Sequence, residues 1–132
     1  MPLQVPPNCD LTLGLSCVDK ATPGTSVWTM VADERFANPA GLIQGGFLGA
    51  FADSVMGACA VSCVGSRKVF VSNTQMTISF VRPVLVGTRL TCTAHTTKEG
   101  RSVIFVAARI VDDTRNLVAT SSSSYLIKER SE

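Results

Sequence analysis

The chain has 132 residues, 45% of them apolar and 17% charged, and a net charge of +2 at neutral pH. This composition excludes intrinsic disorder, and so small a net charge makes no electrostatic case for nucleic acid as a partner. The length sets the expectation of one domain over 1–132 with a sizeable core, and the low charged fraction leaves surface for a further subunit to cover.

The charge is unevenly placed. Residues 1–66 hold two Lys/Arg against five Asp/Glu, whereas residues 67–132 hold ten against five. A basic second half suits an anionic ligand and, equally, a solvated strand surface. The five cysteines, Cys9, Cys17, Cys59, Cys63 and Cys92, are odd in number and form no C-x-x-C pair. Neither a disulfide framework nor a zinc site is therefore expected, and a reducing, cytoplasmic setting fits. Met1 is followed by Pro2 and Gln4 rather than by a basic and then apolar run, so no secretory leader is expected.

Residues 1–12 are proline-rich and read as a surface arm without chemistry of its own. Leu15 to Ala21 and Ser26 to Ala32 read as short strands around a tight turn at Pro23-Gly24. Residues 33–41 form a loop in which Asn38, preceding Pro39, is biased away from helical geometry. From Leu42 to Gly65 runs an apolar stretch that starts a helix near Gln44 to Phe47 and carries one ionisable acid or base, Asp53. It is long enough to span a bilayer, but its four internal glycines and central acid favour a buried core helix in a protein with no membrane contact.

After Gly65 the pattern is that of strands. Phe70, Met76, Ile78 and Phe80 share one parity, with Ser72 and Thr74 interrupting the same face, and Arg82-Pro83 ends the run. Leu90, Cys92 and Ala94 form a second face, and Ile104, Val106, Ala108 and Ile110 a third after a Glu99-Gly100 turn. Asp112 to Asn116 makes the next turn, and Val118 to Ile127 closes the chain with a serine run, Ser121 to Ser124, at its centre. The third strand is also apolar on its other parity, at Val103, Phe105 and Ala107, so both of its faces are expected to be covered. The fold class is α+β: a long antiparallel sheet wrapped on one central apolar helix.

Most catalytic signatures are missing. The single histidine, His95, lies in a strand among threonines of its own parity and reads as an exposed strand residue. There is no nucleophile elbow, Walker loop or G-x-G-x-x-G after a strand, and no metal-ligand set. Cys59 and Cys63, one helical turn apart, read as small buried hydrophobes. What remains is Asn38 in a loop, Gln44-Gly45-Gly46 at a helix start, and a lone carboxylate nine residues after Gln44. Burying that charge is costly unless it is partnered, and its helical neighbours Gly49, Ala50 and Gly57 are small, which leaves space beside it. Gly45 and Gly46 expose backbone N–H groups at a helix N-terminus, where developing negative charge is favoured. A close helix-to-sheet contact explains the same two glycines.

The pattern Asn38-x5-Gln44-Gly45-Gly46-x6-Asp53, followed by TQMTISFVRPVLVGTRL and the turns around KEGR and DDTRN, resembles the hotdog-fold acyl-CoA thioesterases of the phenylacetate-degradation (PaaI-like) type. The resemblance runs from Leu13 to Ile127. It implies a hotdog fold and hydrolysis of an acyl-CoA to free acid and CoA, without a cofactor or metal, in a homodimer or homotetramer with the site at the subunit interface. It implies roles for Gly45 as backbone donor to the thioester carbonyl, with Asn38 nearby, for Asp53 as general base or nucleophile, and for Gly46, Asn73 and Thr74 around the substrate. Gln44 stands where such proteins usually carry histidine, and it keeps a hydrogen-bonding side chain but cannot titrate. Arg82, Lys98 and Arg101 are the candidates for the anionic CoA moiety. The alternative is a non-hydrolytic acyl-CoA-binding or sensing protein of the same fold. A hydratase is the third reading, for which His95 is badly placed.

Overall fold

The computed structural model describes residues 5–130. Its core is a six-stranded antiparallel sheet curled around one long helix. The chain runs α1 (Asn8–Leu13), β1 (Ser16–Asp19), β2 (Thr25–Val31), a 3-10 turn (Glu34–Phe36), α2 (Gly45–Val64), β3 (Val69–Phe80), β4 (Arg89–Glu99), β5 (Val103–Val111) and β6 (Leu117–Glu129). The strand order is β1-β2-β4-β5-β6-β3, so β3, the strand that follows the helix, crosses the sheet to become its far edge.

Helix α2 buries Leu48, Phe51, Ala52, Val55, Met56, Cys59, Ala60 and Val64. These positions recur at three- and four-residue spacing and make one stripe facing the sheet. Opposite them stand Met30 on β2, Leu90, Cys92 and Ala94 on β4, and Ile104, Val106, Ala108 and Ile110 on β5, all buried. Each large side chain hidden in this way contributes roughly 1.5–3 kcal/mol, so the helix–sheet contact is the main source of stability. The apolar length of α2 is thus accounted for by a concave sheet. Gly24, at φ 82°, takes the left-handed conformation required by the β1–β2 turn.

Three expectations need correction. Residues 1–4 of the expected arm lie outside the described residues, but Asn8–Leu13 is helical and packs against α2. The face assigned to Phe70, Ser72, Met76 and Ile78 is not one face. A β-bulge between Asn73 and Gln75 inserts an extra residue into β3. Before it Val69, Val71 and Asn73 are the more enclosed, after it Met76 and Ile78, while Phe70 is 47% exposed. A bulge switches which parity faces inward, and no period-2 reading of the sequence accommodates that. Finally, Asp53 is not buried: it sits on the outward side of α2 and is exposed in the single chain. His95 is exposed on β4, and all five cysteines are free thiols, as expected.

Candidate active site

Asp53 projects from the middle of α2 toward β3 and β6, where two donors converge on one of its oxygens. The Tyr125 hydroxyl donates to Asp53 Oδ1 at 2.7 Å and also lies 3.0 Å from the Asp53 carbonyl oxygen. Asn73 Nδ2 donates to the same Oδ1 at 2.9 Å and to Ser123 Oγ at 3.3 Å. Asp53 Oδ2 has no hydrogen-bond partner among the described residues. Among the described residues, the carboxylate is therefore clamped through one oxygen only. Tyr125 is 2% exposed, and burial, then the hydrogen bond to Asp53 and the charge of that carboxylate, hold its hydroxyl well above the ordinary phenol range. It remains a neutral donor at any physiological pH.

The bulge in β3 makes this clamp possible, because it turns Asn73 inward beside Ser123 and Tyr125. Thr74, the extra residue, turns outward, where its hydroxyl donates to the Ser124 carbonyl at 3.1 Å and lies 2.9 Å from the Ser124 hydroxyl. Of the two candidates on this strand, Asn73 meets Asp53 and Thr74 does not. Asn73 Oδ1 is buried without a partner among the described residues. The reverse amide orientation would set it against Asp53 Oδ1, acceptor to acceptor, so the clamp dictates which end stays open.

A cavity of about 570 Å³ opens beside the carboxylate. Its walls come from α2 at Ser54, Gly57, Ala58 and Val61, from β2 at Trp28, and from Val5, Pro6, Pro7 and Cys9 of the N-terminal segment. The segment expected to carry no chemistry thus builds part of the site. Gly57 has only the Tyr125 ring near its missing Cβ, at 3.8 Å, so the space a side chain would take belongs to the cavity.

The other half of the motif forms a second cluster at the N-terminus of α2. Backbone bonds from Ile43 N–H to Val84 (2.9 Å) and from Gln44 N–H to Phe36 (2.8 Å) fix where the helix starts. Gln44 is the N-cap residue, but its exposed side chain makes no cap bond. The Gly45 and Gly46 N–H groups accordingly have no partner among the described residues. A Cβ on Gly45 would lie 2.8 Å from the Phe80 ring, whereas Gly46 has nothing within 4 Å. Asn38 accepts the Ala40 and Leu42 N–H groups on Oδ1 at 2.9 and 3.1 Å. That shapes the loop and leaves Asn38 Nδ2 without a partner among the described residues. Arg82 borders this cluster together with Gln44, Gly45 and Phe80.

Lys98 and Arg101 lie elsewhere, at the β4–β5 turn. Thr96 Oγ1 is within 3.1 Å of Cys63 Sγ, which puts that turn at the C-terminal end of α2, away from Gly45 and Arg82. Sequence reasoning missed Tyr125 and Ser123; the signal was a polar-tipped aromatic ending a serine run in an otherwise apolar strand. Among the described residues no three His, Cys, Asp or Glu side chains gather to hold a metal.

A helix embraced by an antiparallel sheet, with a clamped carboxylate at its waist and free N–H groups at its start, defines a hotdog-fold hydrolase. The chain belongs to the thioesterase superfamily, whose family model matches residues 40–119, and is by class a thioester hydrolase. Among solved structures, a phenylacetic acid degradation-related protein of Ralstonia eutropha is 31% identical and superimposes with a TM-score of 0.81 over 96% of this chain and 92% of its own. The PaaI protein of the Escherichia coli phenylacetic acid degradation operon superimposes with a TM-score of 0.85 over 92% of this chain and 84% of its own, at 24% identity. A Streptococcus mutans protein solved with acetyl-CoA shares the fold at a TM-score of 0.81 and 17% identity, over 97% of this chain and 96% of its own. Among characterised sequences, human acyl-coenzyme A thioesterase 13 is 26% identical over 105 residues, 80% of this chain and 74% of its own length.

Proposed function

We propose that the protein hydrolyses the thioester of an acyl-CoA to a free acid and CoA, with Asp53 at the reacting centre. The observation that carries this is the asymmetric carboxylate: Oδ1 holds two donors and Oδ2 is free beside an apolar-walled cavity. Oδ2 either attacks the acyl carbon or removes a proton from a water that does so. The buried acceptor Asn73 Oδ1 offers such a water its second anchor. The Gly45 N–H, supported by Asn38 Nδ2, polarises the carbonyl and receives the oxyanion. Thiolate then leaves without needing a strong acid. The relatives' names, acyl-coenzyme A thioesterase and an acetyl-CoA complex among them, support CoA as the carrier, and Arg82 beside Gly45 is the cation placed to meet it.

Within one chain these groups do not meet. Gly45 and Asp53 are eight residues apart on one helix, about 12 Å along its axis, too far to act on one carbonyl. The site therefore needs a second copy of the chain. β3 is a twelve-residue edge strand without a single charge, and Phe80 at its end is 54% exposed. Such an edge is a template for pairing. Antiparallel pairing of two β3 strands about a two-fold axis between Met76 and Thr77 sets Asn73 opposite Phe80 of the second copy. Asp53, held by Asn73, then faces the Gly45 that packs on that Phe80. Five unpaired thiols suit a cytoplasmic location for this assembly.

The test is release of free thiol from acyl-CoA by the wild type and by Asp53→Asn. A folded variant with the wild-type oligomeric state should lose at least a hundredfold in kcat, within the range for a positioned base. Turnover retained in that variant overturns the role of Asp53. Direct attack passes through an Asp53–acyl anhydride that water then opens, so label found in the Asp53 carboxylate after single turnover in ¹⁸O-water demonstrates that route, whereas water activation labels the free acid alone.

A further inference from the structure

We propose that the cavity beside Asp53 is an acyl channel that measures chain length, and that the enzyme selects apolar acyl groups of roughly eight to ten carbons. The proposal rests on the thioesterase reading for the position of the carbonyl and adds what lies beyond it. The channel begins at the free Oδ2 of Asp53 and follows α2, where Gly57 and Ala58 form a low floor and Val61 the next step. Trp28, Val71, the Tyr125 ring and the paired prolines Pro6 and Pro7 supply further apolar wall; exposed Lys20 and half-exposed Asp10 border it as well. An acyl chain gains from such walls, whereas the charged phosphates of CoA would lose hydration against them.

The channel also has an end. Ser62 Oγ accepts the Gly24 N–H at 2.9 Å and donates to the Cys59 carbonyl at 2.6 Å, so the β1–β2 turn is fastened across the helix one residue beyond Val61. From Asp53 to Val61 the helix rises about 12 Å. An extended chain advances about 1.2 Å per bond, so about ten bonds fill that length. An acetyl group leaves most of the wall uncovered, and a sixteen-carbon chain overruns the stop.

Trp28 is the only tryptophan in the chain and lines this channel, so its fluorescence reports occupancy directly. Two measurements decide the matter. In hydrolysis by the full-length protein, kcat/KM should rise at least a hundredfold from acetyl- to octanoyl-CoA and fall again at palmitoyl-CoA; each buried methylene contributes at most about fourfold. Val61→Phe, which narrows the far end, should lower the decanoyl-to-butyryl ratio of kcat/KM by at least tenfold. In Asp53→Asn, used to prevent turnover, decanoyl-CoA should change Trp28 fluorescence saturably and acetyl-CoA should not. A flat length profile, a maximum at acetyl or palmitoyl, or a Val61→Phe that scales all substrates alike overturns the channel while leaving the thioesterase reading intact. If no acyl-CoA is hydrolysed, that reading falls instead; the Trp28 titration then still decides, a decanoyl-specific change upholding the channel and no change overturning it.

Discussion

At the scale of single residues, function concentrates in one hydrogen-bonded oxygen. Tyr125 holds Asp53 through its hydroxyl while its ring borders the cavity, so its part in the reaction itself is that of a positioning residue. Tyr125→Phe keeps the buried ring and removes one bond to a charged group, worth about 1.5–3 kcal/mol. We expect kcat to fall about ten- to a hundredfold in a variant that still folds, with the thermal midpoint lowered by several degrees for the lost buried bond; a change confined to KM or to stability would remove Tyr125 from this role. Cys92 gives a prediction for pH. Burial pushes its thiol up to about 12 from an ordinary 9.0. The unfolded chain therefore releases this proton first, and the stability tied to the neutral thiol is complete below pH 9 and lost as pH rises toward 12. Denaturant titrations at pH 8 and pH 10.5 should show the folded state weakening at the higher pH, and Cys92→Ala should flatten that slope.

Among the elements, β3 shows how one extra residue moves a function. Thr74 has no contact with the site, yet by bulging it turns Asn73 toward Asp53. Asn73→Ala leaves the bulge in place, removes the bond to Asp53 and should lower kcat by roughly tenfold or more, the worth of one hydrogen bond to a carboxylate. Spectroscopic sheet content should stay at the wild-type level, and unchanged turnover would show that Asn73 does not matter. Much of the element pattern was legible beforehand. The alternation in β4 and β5, the apolar run of α2 and the turns at Gly24 and Asp112 each follow from local chemistry. Phe70 and Ser72 were placed on the wrong face because a bulge is chosen by the fit of two strands, and neither strand carries it alone. The helix α1 escaped notice because six residues with no strong cap or stripe gain their order from packing against α2.

For the whole molecule, the proposed site is shared between two protomers, and complementation tests that sharing. Asn38→Asp offers a clean partner to Asp53→Asn. It keeps the oxygen that accepts the Ala40 and Leu42 N–H groups, and so the loop, while replacing the Nδ2 donor on the Gly45 side of the site by an oxygen. Each variant alone should lose about a hundredfold or more. Co-refolded in equal amounts, they should regain roughly a quarter of wild-type activity, since half the dimers are mixed and each mixed dimer keeps one intact site of two. No recovery on mixing would place both groups in one chain.

What the amino-acid sequence determined by itself is the part written in local spacing: an antiparallel sheet, one apolar helix, a lone acid on it, and two glycines at its start. Period and turn chemistry act over a few residues, so they are readable there. Only the tertiary structure decided that Asp53 is clamped by Tyr125, 72 residues away, and that the N-terminal segment walls its cavity. Those are facts about where distant segments meet, set by the curl of the sheet around α2 and by a single inserted residue in its edge strand.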